Sequence, residues 1–87
     1  MFYTVYILYS LKDKSLYVGC TNNLEDRLKR HNLGHVKATC NRRHLELIHS
    51  EKFDDKTSAF NRERFFKSLW GAREKKKILK KYLENML

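Results

Sequence analysis

Residues 2–11, FYTVYILYSL, limit the fold more than any other stretch of this sequence. They are aromatic, β-branched or aliphatic with no glycine or proline, which is the composition of a strand buried against neighbours. After the polar KDKS, the stretch SLYVGCT at 15–21 repeats that character, so the two segments read as an antiparallel hairpin. Side chains alternate faces along a strand, and a register that sets Tyr6 opposite Gly19 puts Tyr6 and Tyr17 on one face and leaves residues 11–14 as the loop. In that register Gly19 leaves room beside a ring or for the close approach of a phosphate.

A helix follows. Asn22 or Asn23 is the N-cap, Glu25 or Asp26 the acidic partner in the first turn, and Gly34 the residue that ends it. Leu24 and Leu28 face the core, while Arg27 and His31, four apart, project together from another side. Residues 34–44, GHVKATCNRRH, have no period and read as a basic loop. LELIHSEKF at 45–53 alternates as a third strand. DDKTSAFNRERFFKSLWG gives a second helix, capped near Asp55 or Thr57 and stopped by Gly71. AREKKKILKKYLENML gives a third, with Ile78, Leu79, Tyr82, Leu83 and Met86 on one stripe. The expected architecture is an α/β (α+β) domain spanning 1–87, with a three-stranded, mostly antiparallel sheet covered by about three helices.

The formal charge is +9, and it is concentrated. Residues 23–44 carry six basic against two acidic side chains, and residues 61–87 carry nine against three. Two such blocks fit a polyanion, because Lys and Arg that neutralise phosphates release condensed counterions. A solvated surface that keeps a small protein in solution is the plainer reading of the same charge. The candidate phosphate contacts are Lys37, Arg42 and Arg43 in the basic loop, Lys67 on the second helix, and Lys75 and Lys76 on the third. The N-terminus lacks a basic n-region and a long apolar run, so a cytoplasmic protein with no membrane segment is expected. Cys20 and Cys40 lack C-x-x-C spacing and read as free thiols. Cys20, His31, His35 and Cys40 have no zinc-finger spacing, and Gly34 separates the two histidines. His44 and His49 read as a loop and a strand-surface residue.

In the second helix, Ala59, Glu63, Phe66 and Trp70 form one stripe, which sets a carboxylate among apolar residues. An ion pair with Lys67 at i+4 would account for it. So would a hard divalent cation, for which one carboxylate with phosphate oxygens and waters suffices. Phe65, Phe66 and Trp70 read as packing residues, with base stacking open to any that is exposed.

TVY, a ten-residue spacer, YVG, then TNNLEDRLKRH and a later AFNRERFFK together resemble the GIY-YIG nuclease superfamily. The likeness is closest to its small stand-alone bacterial type, in which Ala59, Glu63 and Lys67 match an A-x-x-x-E-x-x-x-K helix. Thr4 stands where that pattern has glycine, and Val5 where it has isoleucine. The resemblance implies hydrolysis of DNA phosphodiesters with one Mg²⁺ or Mn²⁺ and no small-molecule cofactor, RNA remaining open as a substrate. It implies that Tyr6 activates the attacking water, His31 accepts or relays the proton, Tyr17 positions water or phosphate, Arg27 neutralises charge on the phosphate, and Glu63 holds the metal. Asn61 and Asn85 both stay open for the further asparagine that some members use. Low sequence specificity is expected, with a role in repair or recombination, and a nucleic-acid-binding module with little turnover is the alternative.

Overall fold

The computed structural model describes residues 2–86. Its elements are β1 (Tyr3–Ser10), β2 (Leu16–Thr21), α1 (Leu24–Asn32), β3 (Leu45–Phe53), α2 (Lys56–Lys67) and α3 (Leu69–Asn85). The three strands form one antiparallel sheet in the order β2-β1-β3, so the apolar N-terminal strand is central. Thr4 to Ser10 are all buried. The hairpin register sets Tyr6 against Gly19 and Leu8 against Tyr17, as the alternation argument requires.

Each face of β1 feeds its own cluster. Val5 and Ile7 pack with Val18 against Ala59 and Phe66 of α2, joined by Ile78 of α3. Tyr6 and Leu8 pack with Leu45, and Leu24 and Leu28 of α1 cover them. Full burial of a side chain such as Ile7 or Phe66 is worth roughly 1.5–3 kcal/mol. The sheet is therefore sandwiched between α1 on one side and α2 with α3 on the other. A bulge in β3 lets Ile7 pair with His49 and Leu8 with Leu47. Ile48 and His49 consequently both meet the α2 side: Ile48 joins its cluster, and the His49 ring lies 6.0 Å from that of Phe66. His49 is half-buried there, bonded to Glu51 at 2.7 Å, rather than free on the strand surface.

Helix α1 begins and ends on the expected residues. Asn23 Oδ1 accepts the Asp26 N–H at 3.1 Å. At the other end Gly34 takes φ +83°, the Gly34 N–H bonds to the His31 carbonyl at 3.2 Å, and the His35 N–H reaches back to Arg30 at 2.9 Å. This is the Schellman arrangement, which needs a residue free to adopt a left-handed backbone. The Asn32 side chain then mimics a peptide group, exchanging bonds of 3.1 and 2.9 Å with the backbone of Leu45 and fixing α1 to the start of β3.

Gly71 does not stop α2. That helix ends at Lys67, and Ser68 closes it and opens α3: its hydroxyl donates to Phe65 O at 2.6 Å and accepts the Gly71 N–H at 3.3 Å. Gly71 lies in the first turn of α3 because the corner is tight. A Cβ there would fall inside the Phe65 carbonyl oxygen and 2.7 Å from Phe66 Cα. The same break removes Trp70 from the α2 stripe, leaving it 84% exposed beside Leu69 at 93%. Helix α3 meets the sheet side through Ile78 and through Tyr82, whose ring is 6.4 Å from that of Tyr9, while Leu83 and Met86 remain exposed.

Gly71→Ala should lower unfolding stability in urea by about 2 kcal/mol or more, since the added methyl meets rigid backbone that cannot give way. An unchanged urea midpoint would show that the corner relaxes freely.

Candidate active site

Three strand-and-helix placements bring the tyrosines together with the α1 residues. Tyr6 lies in the middle of β1, and its ring crosses over Gly19, where any Cβ would overlap the phenol oxygen and Cζ. Tyr17, two residues back on β2, has its ring 6.4 Å from that of Tyr6. His31, in the last turn of α1, is fully buried and stands edge-on to both, at 5.8 Å from Tyr6 and 5.0 Å from Tyr17. The Tyr6 hydroxyl and His31 Nε2 are 3.0 Å apart.

Arg27 is one turn before His31 and reaches the same point. Its guanidinium lies beside the Tyr6 and Tyr17 phenols, and both favour its charged form. Its Nε is buried and has no partner among the described residues. A buried donor without an acceptor costs about 1–3 kcal/mol, so this atom is held ready for an acceptor from outside, and an anion would satisfy it best.

The two groups that share the 3.0 Å bond are both neutral at rest. Burial raises the Tyr6 phenol above its usual 10.0, with Arg27 pulling the other way and the charges of Tyr17 and Glu63 adding to the rise. Burial lowers His31 to about 4, and repulsion from Arg27 adds to it. Neither phenolate nor imidazolium is therefore stored at this site near neutral pH.

Glu63 approaches from α2. Its side chain is 22% exposed and pairs with Lys67 Nζ at 2.9 Å. With Phe60, Arg64 and Lys67 it lines a shallow concavity of about 300 Å³. Its charge acts on both the Tyr6 phenol and the Cys20 thiol, where, after burial, it is part of what raises each. Among the described residues there is no cluster of three or more His, Cys, Asp or Glu that could cage an ion. A single half-buried carboxylate in this concavity fits a hydrated Mg²⁺ or Mn²⁺, which takes its other oxygens from phosphate and water.

The candidate phosphate contacts separate into two layers. Lys37, Arg42 and Arg43 lie in the loop after α1, beside the His31 face of the sheet, and Lys75 and Lys76 lie on α3, on the opposite face. Lys67 stands next to Glu63. Arg42 is already engaged, bonding to Asp13 at 3.0 Å, to the Ser15 hydroxyl and to the Leu16 carbonyl, so it clamps the hairpin loop. Arg43 donates to the Cys40 carbonyl at 2.9 Å and shields Gly34. Asn61 is exposed on α2, and Asn85 lines a cleft with His49 and Tyr82 on the α3 side. Cys20 and Cys40 are free thiols. One contact had no signal in the sequence: Thr39, in the aperiodic loop, is fully buried with its hydroxyl 2.7 Å from His31 Nδ1.

A sheet with this hairpin, covered by α1 and α2, carrying two tyrosines, an arginine, a histidine and a glutamate, defines a class of catalytic domain. The chain belongs to the GIY-YIG catalytic domain family, a nuclease family, whose model matches residues 2–78. Nucleases of this family generally use a divalent metal and act on nucleic acid. The chain is 41% identical over 75 residues to a UPF0213 protein of Natronomonas pharaonis, covering 85% of this chain and 87% of that one. It is 46% identical over 68 residues to the UPF0213 protein YazA of Bacillus subtilis, covering 77% and 67%. The solution NMR structure of a UPF0213 protein from Bacillus halodurans superposes with a TM-score of 0.55 at 32% identity, covering 92% of this chain and 84% of that one. No helix among the described residues is long and apolar enough to cross a membrane.

Two measurements follow from the geometry. Gly19→Ala should displace the Tyr6 ring and break its bond to His31, seen as loss of the Tyr6 and His31 ring contacts in NMR; retention of those contacts would refute the close-approach account. For His31 the folded-state value of about 4 lies below its ordinary 6.5, so the unfolded chain takes up the proton first as pH falls. The stability from the neutral ring is full above pH 6.5 and declines between about 6.5 and 4. The urea midpoint should fall through that window in the wild type and stay flatter in His31→Gln. The depressed carboxyl of Glu51, buried but held by Arg62 and His49, acts lower, below 4.5.

Proposed function

We propose that this protein is a metal-dependent endonuclease that hydrolyses DNA phosphodiesters with low sequence specificity, acting on branched, damaged or single-stranded DNA in repair or recombination. The observation that carries this reading is the buried Arg27 Nε, a donor without an acceptor among the described residues, beside a tyrosine and a histidine bonded to each other. A binding surface needs accessible charge; it has no use for a buried Tyr–His pair next to it.

In this reading the scissile phosphate enters against Arg27, matches its planar fork with two oxygens and accepts from the orphan Nε–H. Because Tyr6 is held protonated, it acts by exchange. Its oxygen takes a proton from the attacking water as its own proton passes to His31 Nε2. The water oxygen forms the new P–O bond, and the bond to the leaving sugar oxygen breaks with its electron pair. That oxygen takes a proton from solvent water, and His31 gives its proton back through Tyr6 to solvent. The negative phosphate offsets the Arg27 repulsion that adds to burial in keeping His31 a weak base, so the imidazole becomes a better acceptor once substrate is bound. Tyr17 orients the water or the phosphate from the other side of the pair. Glu63 would hold Mg²⁺ or Mn²⁺, which when bound supplies charge neutralisation to the phosphate and the leaving oxygen. Lys67, released from Glu63 in part by that ion, would then face phosphate.

Low specificity is supported by the chemistry of the surrounding cations. Lys37 and Arg43 in the loop after α1 and Lys67 beside Glu63 are single side chains suited to phosphate, and contacts to the phosphate backbone carry no sequence information directly. Lys75 and Lys76 on the far layer add to the long-range attraction for a polyanion.

Incubation with forked, nicked, single-stranded and plasmid DNA, and with RNA, in Mg²⁺ or Mn²⁺ tests the reading. Glu63→Gln, Arg27→Lys and Tyr6→Phe should each lower kcat by about 100-fold or more, and chelation should abolish cleavage. Cleavage that survives both Glu63→Gln and Arg27→Lys would assign the activity to a contaminant. Binding without cleavage of any substrate in either metal would favour the binding module.

A further inference from the structure

Neutral imidazole carries one N–H, and His31 is bonded at both nitrogens: Nε2 to the Tyr6 hydroxyl at 3.0 Å and Nδ1 to the Thr39 hydroxyl at 2.7 Å. Two arrangements of hydrogens are possible, and they have opposite chemical consequences. With the proton on Nε2, the ring donates to the Tyr6 oxygen, and the phenol hydrogen must find another acceptor. The Arg27 guanidinium beside it has donors only, and among the described residues the Tyr6 hydroxyl forms no hydrogen bond to Tyr17 or to any group other than His31. With the proton on Nδ1, every hydrogen is placed. Nδ1–H is donated to Thr39 Oγ1, the Thr39 hydroxyl hydrogen points to the Val36 carbonyl at 3.5 Å, and Tyr6 donates to Nε2 while its oxygen faces Arg27. Both Thr39 and His31 are fully buried, so water does not substitute for either bond.

We propose that Thr39 is a positioning residue of the reaction: by accepting the Nδ1–H of His31 it keeps Nε2 unprotonated and aimed at the Tyr6 phenol as its proton acceptor. The proposal rests on the nuclease reading of the Tyr6–His31 pair. Thr39 touches no reacting atom and acts through His31 alone. It also determines what the ring becomes during turnover. When Nε2 takes the Tyr6 proton, the imidazolium keeps its Nδ1–H on Thr39 Oγ1, so the new charge retains a hydrogen-bond acceptor. The groups facing the ring are Tyr6 on β1, Tyr17 on β2, Arg27 on α1 and Thr39 in the loop after it, and only Thr39 can accept from Nδ1. The position thus gives the aperiodic loop a task that its basic residues do not describe.

The tautomer is measurable without substrate, from long-range ¹H–¹⁵N correlation of the His31 ring near neutral pH. The wild type should show Nδ1 protonated and Nε2 bare. Thr39→Val, which keeps the shape and removes the hydroxyl, should shift the ring toward the Nε2–H form, and Thr39→Ser should retain the wild-type pattern. On DNA, Thr39→Val should lower kcat about tenfold with KM unchanged, and Thr39→Ser should stay within about twofold of wild type. A wild-type ring protonated on Nε2, or a folded Thr39→Val with the wild-type pattern, would overturn the proposal. If Thr39→Val fails to fold, the wild-type tautomer and the Thr39→Ser kinetics decide it. A wild type with the Nδ1–H form that cuts no nucleic acid would support the hydrogen arrangement and sink the nuclease reading instead.

Discussion

Strand β1 has no solvent side. Thr4 through Ser10 are buried, and the strand bonds to β2 on one edge and β3 on the other. A central strand with two apolar faces demands a layer against each, and an 87-residue chain has few elements to spend on them. The odd positions, Val5 and Ile7, draw α2 and α3, and the even positions, Tyr6 and Leu8, draw α1. The chemistry is placed by this division. Tyr6 is an ordinary core residue of the α1 layer by burial, and its hydroxyl is the one polar atom that this position brings against His31 and Arg27.

Much of this was legible in the sequence because it depends on period and on end signals. Strand pairing follows from alternation and from a single glycine, so Tyr6, Gly19 and Tyr17 fall on their observed partners. The ends of α1 follow from Asn23 and Gly34, whose roles are local. What was not legible depends on contacts between segments without a period. Thr39 lies in an irregular loop, and nothing in GHVKATCNRRH separates a buried hydroxyl from a solvated one. The cost of placing Arg42 is similar: a basic side chain in a basic loop reads as a phosphate contact, while Asp13 and Ser15, nearly thirty residues earlier, hold it. Gly71 was misplaced for a different reason. A glycine after a helical pattern signals an end, but here a serine three residues before it performs that role and the glycine answers a steric demand.

The electrical state of the site follows from its packing. The same burial that orders Tyr6 and His31 keeps both uncharged, and Arg27 supplies a fixed positive charge against them. A site built this way holds little mobile proton chemistry until an anion arrives. Its acid–base partners are matched through a shared hydrogen bond rather than through individually poised groups, which suits a protein whose substrate brings its own charge.

The Ser68 corner carries a consequence of another kind. One residue closes α2 and opens α3, so the junction contains no slack. Each residue of a helix turns the next by about 100°, and a single insertion or deletion at this corner would rotate α3 by that angle. Ile78 and Tyr82 would leave the sheet together, and charged side chains would replace them. The loop between α1 and β3 is twelve residues of irregular chain and can change length by local rearrangement; the corner cannot. A change of length is thereby far easier to absorb in the loop that carries Thr39 than at the corner, where the packing of Ile78 and Tyr82 is kept in register by a junction of one serine.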